Sequence, residues 1–264
     1  MKNSHRYNLK LNGSRVLVAD IPPCKIVVPV SGGKDSQACL KMAVTEHGAE
    51  NVIGLFCDTK WEHPKTYQHI KQLSRLYGVA IYWINAGSVE QMIQKKGYFP
   101  NNAMRYCTRD LKIVPSKFFY ADLLSIYGFG FEVWLGMRTG ESQKRKNKYS
   151  SFSGSERYLP HEVFSDFPKY LGKRGIRFCL PIVNWATKKV FSYLCGLENP
   201  LYAMGSERVG CFPCLASSKI KHQNDFNLDH FGNQQKQRII KLEKLINKKH
   251  EPAQTEQLCM FCQM

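Results

Sequence analysis

The amino-acid sequence predicts an α/β protein with a doubly wound, mostly parallel sheet. Short runs of apolar, β-branched residues alternate with longer segments in which apolar residues recur every three or four positions. Each strand-like run is followed by enough chain for a helical crossover, and crossovers of this kind join parallel strands whose sheet is covered on both faces. These two observations together favour βαβ units over an all-β or all-α architecture.

The amino-terminal half contains three such pairs of strand and helix. A strand at 25–30 is followed by two glycines and by a helix at 36–47, which we expect to end at Gly48. The next two pairs have strands at 51–57 and 79–84 and helices at 64–77 and 88–96. The first of these later helices begins with a proline, a residue that the first helical turn tolerates because its missing N–H has no partner there.

A fourth strand is predicted at 131–135, after a helix at 115–127. Residues 140–158 are basic, rich in serine and almost free of aliphatic side chains, a composition that predicts a mobile loop. Two further helices are predicted at 187–194 and 234–249.

These segments divide the chain into three parts. We predict an amino-terminal extension at 1–24, a main α/β domain at 25–220, and a basic helical extension at 221–264 that carries a Cys-x-x-Cys pair near its end.

The charge is unusual for a globular protein. The chain has 38 Lys and Arg against 21 Asp and Glu, which leaves a formal net charge of +17. Such a field attracts polyanions, so a nucleotide, a nucleic acid or an acidic partner is expected. The 234–249 helix and the 140–158 loop, with Tyr149 and Phe152 for stacking, form one candidate nucleic-acid surface; a solvated basic face is the alternative.

Location and redox state are suggested by what the sequence does not contain. It has no apolar run of membrane-spanning length and no amino-terminal apolar stretch typical of a secretory signal. We therefore expect a cytoplasmic protein without a membrane partner, in which the ten cysteines serve metal or redox chemistry rather than disulfide bonds. Five of them lie in or beside apolar segments and are predicted to fill the core: Cys24, Cys39, Cys57, Cys179 and Cys195.

The strongest local signal is the hexapeptide Ser31-Gly32-Gly33-Lys34-Asp35-Ser36, between a predicted strand and helix. Glycines allow a sharp turn that presents backbone N–H groups, and the helix amino terminus adds a positive dipole end. Hydroxyl and ammonium groups from the serines and the lysine complete a cradle for phosphate. An ordinary strand-to-helix turn with a capping serine is the alternative.

This hexapeptide resembles the pyrophosphate-binding loop (PP-loop) of the ATP pyrophosphatases, in the adenine nucleotide alpha-hydrolase superfamily. Four later blocks narrow the resemblance to the phosphoadenylyl-sulfate (PAPS) reductase-like family, iron–sulfur type, and to its DNA phosphorothioation sulfurtransferase branch. The resemblance covers about residues 25–220. The four blocks are Asp58-Thr59 with Glu62, Pro64 and Thr66-Tyr67; Gly136 with Arg138, Glu141-Ser142 and Arg145; Pro181-Ile182 with Trp185 and Val190; and Asn199-Pro200-Leu201-Tyr202 with Gly205, Val209-Gly210-Cys211 and Pro213-Cys214.

The resemblance implies a set of site residues. The expected catalytic residues, which neutralise and position phosphates, are Lys34, Asp35, Arg138 and Arg145. The residues expected to bind ATP with Mg²⁺ are Ser31, Gly32, Gly33, Lys34, Asp35, Ser36, Asp58, Gly136, Arg138, Glu141 and Arg145. Asp58 also follows a predicted strand directly, where open α/β sheets bind ligands, and helix capping is the alternative role for it.

A second expected site is a metal centre. Cys211 and Cys214 have the spacing of two thiolates on one centre. The resemblance adds Cys107 and implies a [4Fe–4S] cluster with one iron open, or with Cys262 or Cys259 of the tail as fourth ligand. Zinc bound by the pairs Cys211/Cys214 and Cys259/Cys262 is the structural alternative.

The resemblance implies an ATP-dependent sulfurtransferase that adenylates an acceptor, expected to be DNA or tRNA, and then transfers sulfur. A sulfur donor such as a cysteine desulfurase is then an expected partner, as is a second copy of the chain. The first alternative is a PAPS or adenylyl-sulfate reductase that releases sulfite; the second is an inactive nucleotide-binding member. The unmodified Ser-Gly-Gly-Lys-Asp-Ser loop favours ATP, and the Asn199–Cys214 block favours the reductases.

Overall fold

The computed structural model describes residues 7–250. Within this range seven strands form one sheet in the order β2-β1-β5-β4-β3-β6-β7. The strands are β1 (Asn8–Leu11), β2 (Ser14–Arg15), β3 (Ile26–Pro29), β4 (Val52–Cys57), β5 (Ile81–Asn85), β6 (Glu132–Trp134) and β7 (Arg177–Cys179). Strands β3 to β7 pair in parallel, and only the hairpin β1–β2 adds an antiparallel edge.

Helices cross over between the strands and continue beyond the last one. They are α1 (Lys34–His47), α2 (Pro64–Tyr77), α3 (Val89–Lys96), α4 (Tyr106–Thr108), α5 (Val114–Tyr127), α6 (Gln143–Tyr149), α7 (Pro160–Val163), α8 (Lys169–Lys173), α9 (Thr187–Leu194), α10 (Lys219–Asn227) and α11 (His230–His250). A π-helical turn, Arg109–Ile113, joins α4 to α5, and short 3₁₀ turns lie at Val18–Asp20, Ala49–Asn51 and Thr139–Glu141.

The sheet is covered on both faces, as a doubly wound fold requires. Successive residues of β3 alternate between two hydrophobic clusters, because side chains along a strand point to opposite faces: Val27 packs with α5 on one face, and Ile26 and Val28 pack with α1, α2 and α9 on the other. The predicted fold class is therefore confirmed.

The carboxyl-terminal helices contact the main domain through a third cluster. Leu242 and Ile246 of α11 pack against Trp61, Val89 and Ile93, the last two from α3. The sequence predicted this helix from the spacing of its apolar residues, of which Ile239, Leu242 and Ile246 form the contact and Leu245 is exposed. Residues 251–264, which include Cys259 and Cys262, lie outside the described part of the chain.

The structure corrects three predictions. The predicted loop at 140–158 contains helix α6, capped by the Ser142 side chain, which accepts a hydrogen bond from the Arg145 N–H, and anchored by Tyr149, only 3% exposed. Burial removes Tyr149 from the surface that was a candidate for base stacking.

Cys195 is exposed rather than in the core, because it lies just after the last turn of α9 with positive φ.

The third correction concerns the amino terminus. The predicted extension at 1–24 contains the hairpin β1–β2, whose first strand pairs with β5 from Asn8–Asn85 to Leu11–Tyr82. No helix in the described range 7–250 is both long and apolar enough to cross a membrane.

Candidate functional site

The glycine-rich loop lies between β3 and α1 and its backbone is closely packed. Gly32 has φ of +77°, a conformation that favours glycine. A Cβ atom at Gly33 would lie 2.9 Å from the Val209 carbonyl oxygen, so only glycine lets the two backbones approach. The Ser36 hydroxyl closes the turn: it accepts from the Ser31 N–H at 3.1 Å and donates to the Gly33 carbonyl at 2.9 Å.

A distant segment covers this loop. The Asn199 amide donates to the Gly32 carbonyl at 3.1 Å, and the Tyr202 hydroxyl accepts from the Lys34 N–H at 3.1 Å. Asn199 is fully buried. The sequence block that contains both residues therefore holds the glycine-rich loop in place from about 170 positions away in the chain.

Three charged side chains of the predicted site form one buried network. The Asp35 carboxylate pairs with Lys34 Nζ at 3.1 Å and with Arg138 Nε at 2.5 Å. Arg138 is only 2% exposed, and its guanidinium also donates to the Trp185 carbonyl and the Thr187 hydroxyl. Asp35 and Arg138 thus join the start of α1 to the end of β6 and the start of α9.

The remaining residues of the Gly136–Arg145 block hold the same corner together. A Cβ at Gly136 would lie 2.6 Å from the Asp35 carbonyl oxygen, so β6 ends in contact with the first turn of α1. Glu141 accepts from the Arg138 N–H and pairs with Arg145. Burial lowers the pKa of Arg145, and the nearby positive charge of Arg208 lowers it further. The Arg145 guanidinium is therefore placed between its partner Glu141 and the positive charge of Arg208.

Asp58 lies at the carboxyl end of β4, as predicted, and is 5% exposed. Its carboxylate accepts from the Lys60 N–H at 3.0 Å and the Tyr67 hydroxyl at 2.9 Å, and it pairs with Lys60 Nζ at 2.5 Å. These contacts order the turn between β4 and α2. Glu62 does the same from within the turn, accepting from the Thr59 N–H and hydroxyl.

The cysteines of the predicted metal centre open onto one cavity. Its volume is about 360 Å³, and Cys107, Cys211 and Cys214 all line it. Ser31 of the glycine-rich loop lines the same cavity, so the two sites that the sequence predicts separately are adjacent. The other polar and charged lining residues include Arg105, Lys112, Arg208, Lys221 and Asp225.

Cys211 has the most closely defined surroundings of the three. Lys112 Nζ lies 3.4 Å from its Sγ atom, and the Thr59 hydroxyl lies 3.6 Å away. Burial raises the pKa of Cys211 to about 11, while the Lys112 charge acts in the opposite direction. Burial acts against the charged form of Lys112, but Cys211 and Glu62 outweigh it and raise the Lys112 pKa. If Cys211 were a thiolate, the Lys112 ammonium would therefore lie in direct contact with it.

The three cysteines of the cavity are suitable metal ligands by residue type, but their arrangement in this structure does not form a site for one metal ion. The three thiols are of the type that binds iron–sulfur clusters, which are held by cysteine thiolates. Among residues 7–250, however, no three Cys, His, Asp or Glu side chains are close enough together to hold one metal ion. The fourth proposed ligand, Cys262, lies outside the described residues.

The carboxyl-terminal helices hold the Cys211–Cys214 loop against the main domain. The Gln235 amide donates to the Phe212 carbonyl at 2.7 Å, and His63 Nε2 lies 3.0 Å from the Asp229 carboxylate. Arg238 pairs with Glu90 and lies over the Trp61 ring at 4.4 Å. Helix α11 therefore supports the Cys211–Cys214 loop, in the same way that the Asn199–Tyr202 segment supports the glycine-rich loop.

The sequence profile of the phosphoadenosine phosphosulfate reductase domain family matches residues 25–217, which is most of the chain. The protein belongs to this family. The match spans both the glycine-rich loop and the Cys211–Cys214 loop.

Two relatives of this family member have names that state no function. An uncharacterized protein of Methanocaldococcus jannaschii is 28% identical over 211 residues, covering 75% of this chain and 38% of the relative. An uncharacterized 37.8 kDa protein of Escherichia phage 186 is 25% identical over an alignment of 252 residues, covering 73% of this chain and 67% of that protein. The chain thus spans about two fifths of the length of the archaeal relative.

Solved structures with a similar chain path have low sequence identity. The PAPS reductase of Candida auris, in a phosphate complex, has a TM-score of 0.49 and 18% identity, covering 75% of this chain and 86% of that one. The FMN adenylyltransferase of Candida glabrata, with FAD and pyrophosphate, has a TM-score of 0.43 and 14% identity, covering 74% and 59%. Because both TM-scores are below 0.5, the family assignment depends on the sequence profile.

The structure brings only part of the predicted site of this family member to the cavity. Ser31 and the three cysteines line it, whereas Lys34, Asp35 and Arg138 are buried in their own network beside it. Sequence reasoning missed Lys112 and Arg208, which face the cysteines and Arg145. No spacing rule marks a single cation as functional, so only its tertiary neighbours identify it.

Proposed function

We propose that this family member is an ATP-dependent sulfurtransferase that adenylates a nucleic-acid acceptor and then transfers sulfur to it. The observation that carries the proposal is that Ser31, the first residue of the glycine-rich loop, and three cysteines line one cavity. A nucleotide activated at the loop would then be next to the atoms that deliver sulfur, so both half-reactions would use one bound acceptor.

The nucleotide side would act by positioning and charge neutralisation. The positive end of the α1 dipole would attract the phosphates of ATP and its Mg²⁺ complex. Arg208, which lines the cavity, and Arg145 would bind the negative charge of the leaving pyrophosphate. The buried Asp35–Arg138 pair would fix the loop so that these donors are in place before substrate arrives.

The sulfur side would use Cys107, Cys211 and Cys214 to hold a [4Fe–4S] cluster. A cluster held by these three cysteines would supply an iron at which a sulfur atom could bind. Lys112, at 3.4 Å from Cys211, would stabilise the thiolate form that ligation requires. Thr59, which also contacts Cys211, links this ligand to the turn after β4.

The test is competitive binding of ATP with Mg²⁺, PAPS and adenylyl sulfate to protein purified without oxygen. We expect at least tenfold preference for ATP, and release of AMP and pyrophosphate that increases when DNA or tRNA is added. Arg208→Ala should weaken ATP binding about tenfold or more, since a charge-assisted hydrogen bond contributes about 1.5–3 kcal/mol. The control Arg157→Ala, whose guanidinium pairs with Glu132, should change affinity less than twofold.

The same preparation is assayed for iron, acid-labile sulfide and zinc. We expect iron and sulfide, lost in Cys214→Ser and kept in the control Cys195→Ser, since Cys195 is exposed and outside the cavity. Preference for PAPS or for adenylyl sulfate, with sulfite released, would contradict the sulfurtransferase proposal and favour a reductase. Zinc in place of iron would remove the cluster from the proposal.

A further inference from the structure

A second cavity lies on the α2 face of the sheet, between α2 and the β1–β2 hairpin. Its volume is about 890 Å³, at the upper end of ligand-binding pockets. Strand β5 forms the floor with Ile81 and Trp83, and the side chains of Tyr67 and Ile70 from α2 continue it. We call this cavity the hairpin groove; none of the site residues predicted from the sequence lines it except Asp58.

The walls of the hairpin groove carry positive charge on both sides. Lys10 and Arg15 line it from the hairpin, and Lys71 and Arg75 line it from α2. All four side chains are exposed. Within the described residues 7–250, none of the four has an ion pair or a side-chain hydrogen bond, whereas the fifth cation, Lys60, pairs with Asp58.

The arrangement of these charges is unfavourable without an anion. Lys10 and Arg15 are direct partners in the antiparallel pairing of β1 and β2, and like charges in that position destabilise a hairpin. Lys71 and Arg75 are four residues apart on α2, where like charges also repel. Two repelling pairs therefore face one groove, and a polyanion that lies between them would relieve both repulsions.

The floor adds an aromatic surface to the charge. Trp83 is the direct β-sheet partner of Lys10, so both side chains point to the same face. The Tyr67 ring stacks on the Trp83 ring at 5.8 Å with 20° between the ring planes, and Phe56 contacts Trp83 edge-on at 4.8 Å. Trp83 is only partly buried, so part of its ring remains open to the groove.

Cations that track a backbone and an aromatic side chain on which bases stack are the two components of single-strand nucleic-acid sites. We infer that the hairpin groove binds a single-stranded segment of nucleic acid, with phosphates between the two cationic walls and a base against Trp83. A duplex would satisfy only the charges, because its bases are already stacked on one another.

The groove also lies next to the cysteine-lined cavity. Along the turn after β4, Asp58 and Lys60 line the groove, while Thr59 and Trp61 line the cavity. A strand in the groove would therefore reach the cavity across one turn of the chain. The role of the bound strand as the sulfur acceptor rests on the proposed function; the binding itself does not.

The experiment measures fluorescence anisotropy of labelled oligothymidylate and oligouridylate, each about twelve nucleotides long, with the full-length protein and no ATP. Three double variants each change the net charge equally: Lys10→Glu with Arg15→Glu, Lys71→Glu with Arg75→Glu, and the control Lys236→Glu with Lys244→Glu. The control residues are exposed on α11, the other basic surface.

We expect each groove variant to lose at least tenfold in affinity and the control to lose less than twofold. For the wild type, the logarithm of the association constant plotted against the logarithm of the salt concentration should have a slope of about −3. In each groove variant the magnitude of that slope should be smaller by about 1.4. Equal losses in all three variants would mean attraction by net charge alone and would overturn the inference. A loss confined to the control would move the site to α11 and would also overturn it.

Trp83 provides an independent readout. Oligonucleotide binding should quench tryptophan fluorescence, and Trp83→Phe should remove most of the quenching while the fold, checked by circular dichroism, is kept. Quenching that persists in Trp83→Phe, or equally tight binding of polyglutamate, would exclude the stacked base and overturn the inference. Oligonucleotide binding without ATP cleavage would support the groove and contradict the proposed function, so the two failures are distinguishable.

Discussion

The glycine-rich loop and the cysteine-lined cavity share a wall but are built in different ways. The loop is six consecutive residues, and buried ion pairs and close backbone contacts hold it. The cavity is assembled from α4, the π-helical turn after it, the Cys211–Cys214 loop and α10, and α11 supports it through buried contacts and one ion pair that is about one third exposed.

This difference separates a preorganised region from an adaptable one. Buried charge pairs are costly to break, so the loop should tolerate little change. A pair that is about one third exposed contributes little, so we expect the Arg238–Glu90 contact beside the cysteines to break at a lower cost. Three paired substitutions test this difference. Each pair has one residue that packs around the glycine-rich loop and its helix α1, and one residue near the cysteine-lined cavity.

The largest expected difference is between Arg138→Met and Arg238→Met. Arg138→Met leaves Asp35 with one cation in a buried site and should lower the free energy of unfolding by about 3–5 kcal/mol. Arg238→Met breaks a pair in which both side chains are about one third exposed, and should cost about 1 kcal/mol. Urea denaturation measures both values; equal losses would refute the distinction between the two regions.

The second difference is in pH dependence. Burial lowers the pKa of His69, which joins α2 to Gln37 of α1, to about 4. The unfolded chain binds a proton at this histidine below pH 6.5 and the folded chain does not, so stability is full above pH 6.5 and falls towards pH 4. The loss should reach about 2–3 kcal/mol at pH 4, and His69→Gln should remove it.

Asp225, in the wall of the cysteine-lined cavity, should respond in the opposite direction. Burial raises its pKa to about 6, and Glu207 adds to the effect. The folded chain therefore holds this proton more tightly, and the stability it contributes is full below pH 3.8 and is lost as pH rises through 6. Asp225→Asn should abolish that loss in urea titrations from pH 3.5 to 7. A variant profile parallel to the wild type would show that the carboxyl group does not titrate as stated.

The smallest expected difference is between two alanine substitutions. Gly136→Ala places a Cβ 2.6 Å from a backbone oxygen and should cost about 1–3 kcal/mol, because the backbone at the loop must move. A Cβ at Gly210 would meet nothing within 4 Å, and φ there is not positive. Gly210→Ala should therefore be neutral or stabilise by up to about 1 kcal/mol. Thermal unfolding compares them, and a destabilised Gly210→Ala would show that the cysteine side is as tightly packed as the loop.

Elements with strong periodicity were predictable and those without it were not. The helix predicted at 64–77 agrees residue for residue with α2, because a first-turn proline and Gly78 mark both ends. Strands β1 and β2 were not predicted because half or more of their residues are polar, and the three-residue strand β7 was not predicted either. Helix α6 was predicted as a loop because its composition is basic, and one buried tyrosine with one serine cap stabilises it.

The sequence alone determined the glycine-rich loop, the Cys211–Cys214 pair and the alternation of strands and helices, because each depends on neighbours within a few positions. Tertiary structure decided which of these meet. It placed Ser31 and Cys107 in the lining of one cavity, set Lys112 against Cys211, and joined Lys34, Asp35 and Arg138 in a largely buried network. It also assembled the hairpin groove from a terminal hairpin and the outer face of α2. Contacts between residues a hundred positions apart depend on how the sheet orders its strands, and no local pattern encodes that order.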